Sequence, residues 1–67
     1  MKSFNTIITE QFKGKMLYSV RPLNKESVPI QKEIRGVSFK TDRDVILFLD
    51  DKSSVTFDII TTLVDME

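Results

Sequence analysis

The chain has 67 residues, ten basic and ten acidic side chains, and neither cysteine nor histidine. A chain of that length has room for one domain, residues 1–67, and buries only about 60% of its unfolded surface, so its stability is marginal and domains of this size usually need a staple or a partner. Without cysteine or histidine, the chain has no disulfide, no thiolate metal site, no imidazole general base and no Ser-His-Asp or Cys-His arrangement.

Formal neutrality conceals a polarity along the chain. Lys2, Lys13, Lys15, Arg21, Lys25, Lys32, Arg35 and Lys40 face only Glu10, Glu26 and Glu33 in the first 40 residues, whereas Arg43 and Lys52 face six aspartates and Glu67 in the rest. Such halves either fold against each other or present one pole to a charged partner. The opening MKSFNTIITEQF has one early lysine, and Glu10 interrupts any signal-peptide core. The longest apolar run, Val45 to Leu49, is far short of the ~20 residues that span a bilayer. The expectation is a cytoplasmic protein without membrane contact.

In chain order, Phe4, Ile7, Ile8 and Phe12 have the spacing of one helical face, with Ser3 as an N-cap and Gly14 as a stop. The β-branched run Thr6 to Thr9 favours a strand instead. Lys15 to Arg21 alternates Met16, Tyr18 and Val20 against Leu17 and Ser19, which predicts a strand ended by Pro22, and Leu23 to Ser27 reads as a polar loop. Val28, Ile30 and Ile34 are apolar at even positions, whereas Val37 and Phe39 are apolar at odd ones. One residue has entered the period of two, and a β-bulge or bend at Gly36 accounts for it. Pro29, lacking a ladder donor, marks an edge or a strand beginning.

Val45 to Leu49, a turn at Asp50, Asp51 and Lys52, and Ser53 to Ile59 predict a hairpin. Pairing Leu47 with Val55 sets Val45 opposite Phe57 and Leu49 opposite Ser53. Phe39 opposite Val45 and Val37 opposite Leu47 add a third strand, giving a meander over residues 34–59. Ile60, Leu63 and Val64 then suit a helical turn or a last closing strand.

Five or six short strands with a bent one in the middle resemble, over residues 15–67, the small barrels of the SH3-like or Sm-like kind. The expected fold is mainly β: a small five- to six-stranded antiparallel barrel-like sheet with one short N-terminal helix, or α+β if that helix is prominent. Such a likeness concerns fold alone. The stretch MKSFNTIITE, ending in Ile8 and Glu10, is also similar to the capsid-targeting leader of internal head proteins in T-even-like phages, the other reading being an element that opens the fold.

Asp42, Asp44, Asp50 and Asp51 leave a paired-carboxylate or Mg²⁺ or Ca²⁺ site formally open, but they flank an apolar strand where turn residues and charged gatekeepers belong. No catalytic residue, metal site or cofactor is expected. Gly14 and Gly36 form no phosphate-binding fingerprint, although a turn at Gly14 between Lys13 and Lys15 could hold a phosphate. Lys13, Lys15, Tyr18, Arg21 and Arg35, with Lys25 and Lys32, form a basic series with an aromatic, the alternative reading being a nucleic-acid face. Overall neutrality opposes it.

The apolar strand Val45 to Leu49 is the most suggestive feature, because a strand apolar on both faces needs cover on both. With Val45, Leu47 and Leu49 inward, Ile46 and Phe48 point outward beside Ser54, Thr56 and Asp58. Their cover is either the segment Phe4 to Phe12 or another protein, a second copy included. The expected role is a small non-catalytic module, a regulator or inhibitor of the kind phages make against host proteins, that binds another protein through Ile46, Phe48 and Thr56, as a homodimer or with a target.

Overall fold

The computed structural model describes residues 2–67; Met1, the first residue of the leader-like stretch, lies outside them. The elements are helix α1 (Phe4–Phe12) and strands β1 (Met16–Pro22), β2 (Val28–Phe39), β3 (Asp44–Leu49), β4 (Ser54–Asp58) and β5 (Thr62–Met66). All five strands pair antiparallel in the order β4-β3-β2-β1-β5. The sheet is therefore open, with β4 and β5 as its two edges, and is not closed into a barrel. Ile60 and Thr61 lie in a turn, and the strand that follows, β5, returns to β1 and does not close onto β4.

Helix wins over strand at the N-terminus because its start is capped. The Ser3 side chain accepts from the Thr6 N–H at 3.2 Å, and the Ser3 carbonyl accepts from the Ile7 N–H at 3.1 Å. Gly14 follows the helix at φ +85°, where a side chain would be strained, and turns the chain into β1. The helix packs against β2 and buries Phe12, while Phe4 and Ile7, expected on the same buried face, remain exposed.

The bend comes from β2. Its first half pairs with β1 (Met16 with Glu33, Val20 with Val28), and its second half pairs with β3 (Ile34 with Leu49, Phe39 with Val45). Two irregularities let it turn. Leu17 and Ser19 face Lys32 and Pro29, so β2 has an extra residue near Gln31, which sits at φ 55°; Ile34 and Gly36 face Leu49 and Phe48, so Arg35 is extra as well. The second bulge is the one the parity switch requires, but the inserted residue is Arg35, and Gly36 itself has no positive φ.

The bend divides the molecule into two lobes, one of β1, β5 and the first half of β2, the other of β3, β4 and the second half of β2. Between them lies a core of Phe12, Leu17, Val20, Ile34, Val45, Leu47, Leu49 and Phe57, with no buried polar side chain among the described residues. In the β3–β4 lobe the observed register matches the sequence expectation residue for residue: Leu47 with Val55, Val45 with Phe57, Val37 with Leu47. In β1 the period-two expectation fails. Leu17 and Val20 are both buried while Tyr18 is 41% exposed, because Tyr18 is an extra residue against β5, where Leu17 and Ser19 face Met66 and Asp65.

Candidate functional site: the outward face of the β3–β4 hairpin

The hairpin is set by its turn. The Lys52 N–H donates to the Leu49 carbonyl at 3.2 Å, the Leu49 N–H donates to Ser53 at 2.9 Å, and Lys52 adopts φ 70°, a three-residue loop with a left-handed last residue. Asp51 fastens it, accepting from the Ser53 N–H at 3.0 Å and from the Ser53 hydroxyl, and pairing with Lys32 Nζ at 2.8 Å. The Lys32 ammonium and then the Ser53 donors hold the Asp51 carboxyl well below the usual carboxylate range. At the far end of the hairpin, Asp58 accepts from the Ile60 N–H at 2.9 Å and pairs with Arg43 at 2.8 Å, which lowers its pKa in the same order of cause.

With that register fixed, Val45, Leu47 and Leu49 point into the core and Ile46 and Phe48 point away from it. Phe48 stands opposite Gly36 on one side and Ser54 on the other, and Ile46 opposite Ser38 and Thr56. The Phe48 ring leans over Gly36: a Cβ at that glycine would lie 3.6 Å from Phe48 Cδ2. This contact shelters one side of the ring and leaves 45% of Phe48 exposed. Ile46 is half-buried and Thr56 exposed. Ile46, Phe48 and Thr56 thus lie on one face, and α1, offered by the sequence as their cover, leaves Phe48 open.

The alternative basic series does not converge. Lys13 and Lys15 lie at the turn into β1, with Arg35 in the bulge of the adjoining strand, whereas Arg21 lies at the other end of β1. Six residues of extended chain separate Lys15 from Arg21, on the order of 20 Å. Tyr18 is exposed between them, and Arg35 Nε pairs with Glu33 at 3.0 Å. The Gly14 turn is no phosphate cradle. Its main-chain donors are engaged, Lys13 to the Thr9 carbonyl, Gly14 to Ile34 at 2.9 Å and Lys15 to Phe12 at 3.1 Å.

The aspartates are also dispersed. Asp42 and Asp44 precede β3 or begin it, Asp50 and Asp51 follow it, and among the described residues no three side chains of metal-binding type gather. The charged halves are only partly interleaved: among the described residues, Lys32–Asp51 is the one ion pair joining the basic first 40 residues to the acidic remainder. No protein-family model, no curated protein and no solved structure matches the chain.

Sequence reasoning missed a groove of about 760 Å³ at the β1–β2 turn, lined by Arg21, Leu23, Lys25, Thr61 and Leu63 among others. The loop Leu23 to Ser27 reads as polar, so Leu23 gives no signal, and Leu63 groups with Ile60 and Val64 in a helical turn or a closing strand without a direction of its own. Only its pairing opposite Arg21 turns it out.

Proposed function

We propose that the chain is a small non-catalytic protein-binding module of the cytoplasm that acts as a regulator or inhibitor by contact through Ile46, Phe48 and Thr56. The observation that carries this reading is the 45% exposure of Phe48 on a strand whose other face holds the core. An aromatic fixed by the regular register beneath it is pre-ordered, loses little freedom on binding, and supplies the anchor that dominates many interfaces. The surrounding Ser38, Ser54 and Thr56 provide a polar rim. The likeness to small SH3-like or Sm-like barrels rests on strand spacing and on the bent β2, in a sheet that stays open, and it gives no partner.

The test is capture and self-association by the parent and by Phe48→Gln. Sedimentation of the pure protein reports a second copy, and affinity capture reports a target. The reading expects the variant to stay folded and lose whichever association the parent shows. A folded variant with mass and capture unchanged contradicts it. The nucleic-acid reading is replaced in the same experiment if single-stranded RNA or DNA binds at physiological salt with an affinity that falls steeply as salt rises and that Arg21→Ala or Arg35→Ala weakens.

A further inference from the structure

The lobe opposite the hairpin ends in an open edge that can serve as its own complement. The Thr61 carbonyl accepts from the Leu23 N–H at 2.9 Å, and the Glu67 N–H donates to the Met16 carbonyl at 3.0 Å, so the odd-numbered residues of β5 turn their main chain toward β1. Alternation then turns the donors and acceptors of Thr62, Val64 and Met66 to the unpaired side. Such an edge is a template for one more strand.

The side chains of β5 restrict which strand that is. On the core side Val64 lies opposite buried Val20 and Met66 opposite buried Leu17, and both are only partly covered, because the sheet stops there. On the outer side, exposed Leu63 lies opposite Arg21, and exposed Asp65 follows two residues on. Neither Arg21 nor Asp65 forms an ion pair among the described residues. One cation and one carboxylate cancel, so a strand carrying a single sign of charge meets a like charge at one of them. The same face turned about a two-fold axis meets both with the opposite sign.

We propose that β5 pairs antiparallel with β5 of a second copy about a two-fold axis through Val64, joining the two five-stranded sheets edge to edge. In this register Thr62 exchanges main-chain bonds with the partner's Met66, and Val64 with the partner's Val64, so every outward donor and acceptor is used. A two-fold through Leu63 or Asp65 engages only two of the three outward residues, and the second also sets carboxylate against carboxylate. On the core side, Val20 and Val64 continue into the partner's Val64 and the partner's Val20 as one apolar row. On the outer side, Arg21, Leu63 and the partner's Asp65 share a row. Two strand spacings, about 10 Å, separate the ends of that row, a span that an arginine extended across the leucine covers. The symmetry repeats the contact. The other edge, β4, carries one charge, Asp58, which Arg43 already pairs.

One short strand from each chain makes an interface smaller than the about 1,200 Å² of a standard one, so the dimer forms with a Kd of about 10 µM to 1 mM. A dimer through β5 leaves Phe48 to a target, and the association that Phe48→Gln loses is then capture of that target.

The test is sedimentation equilibrium of the pure full chain from about 10 µM to several times 1 mM, with amide hydrogen exchange at both ends of that range. The proposal expects the mass to rise from one chain to two and the amides of Thr62, Val64 and Met66 to gain protection as it rises, while those of Ser54 and Thr56 on β4 do not. Arg21→Glu and Asp65→Arg are exposed substitutions that leave like charges on the face, and each alone should weaken pairing at least about tenfold. An equimolar mixture of the two variants should pair like the parent, because two carboxylates on one chain then meet two cations on the other. Restoration by mixing cannot come from a contact within one chain. Phe48→Gln should pair like the parent. The proposal is overturned by a one-chain mass throughout the range, by a mixture no better than the separate variants, by protection at Ser54 and Thr56 in place of β5, or by dimers that disappear in Phe48→Gln.

Discussion

The two lobes of this sheet are built from strands of similar length by opposite means. The β3–β4 lobe alternates strictly, inward and outward, and with the second half of β2 supplies five of the eight buried hydrophobic side chains: Ile34, Val45, Leu47, Leu49 and Phe57. The β1–β5 lobe supplies Leu17 and Val20, spaced by three because a bulge intervenes, and leaves Leu23, Leu63 and Tyr18 in solvent. A regular lobe can hold an exposed aromatic rigidly, since its register is set from inside. An irregular lobe leaves its edge and its groove to be completed by something else.

The largest effects should come from the shared core, where the lobes are equally dependent. Leu47→Ala and Leu17→Ala each remove a fully buried side chain and should cost about 2–5 kcal/mol, a large part of the stability of so small a domain, measured by urea denaturation. If Leu17→Ala were nearly silent, the β1–β5 lobe would be an appendage to a core made by the other. Tyr18→Ala, one residue on, should cost less than about 1 kcal/mol, because the bulge turns that ring outward. A plain two-residue alternation in β1 would reverse the order of these two variants.

How legible each lobe was follows the same contrast. The hairpin register could be written from Val45, Leu47, Leu49, Val55 and Phe57, because a one-residue slip would bury Ser54 and Thr56. The bulge in β2 announced itself as a change of parity between Ile34 and Val37. Nothing comparable marks Tyr18: an aromatic at an even position between Met16 and Val20 fits the core face, and only pairing with β5 shows the extra residue. The outward pair Ile46 and Phe48 was legible for the reason the register was. The groove was not, because Leu23 and Leu63 are forty residues apart in sequence and Leu23 stands alone in a polar loop.

Smaller effects sharpen the account of the regular lobe. Lys52 holds a left-handed conformation that glycine adopts freely, so Lys52→Gly should raise stability by about 0.5–1 kcal/mol in the same denaturation assay. A loss would mean that the loop is held by something other than its backbone. Acid acts across the lobes through Lys32–Asp51 and within one through Arg43–Asp58. Both carboxyls are lowered from their unfolded value near 3.9, so their contribution is complete above that pH and is lost as pH falls through the folded values. The urea midpoint should be level between about pH 5 and 7 and fall below about pH 4, more shallowly in Asp51→Asn with Asp58→Asn. Smallest of all, Gly36→Ala should change stability by no more than about 0.5 kcal/mol, since the added methyl meets Phe48 at 3.6 Å, an ordinary contact distance.

The central claim is that Phe48 belongs to a surface and Leu47, its neighbour, to the core. Thermal melting of Phe48→Gln beside Leu47→Gln, followed by circular dichroism, tests it most directly. The account predicts that Phe48→Gln unfolds cooperatively within about 5 °C of the parent, while Leu47→Gln, which buries an amide without partners, has no folded baseline at room temperature. Equal collapse of the two variants would place Phe48 in the core and remove the proposed binding face.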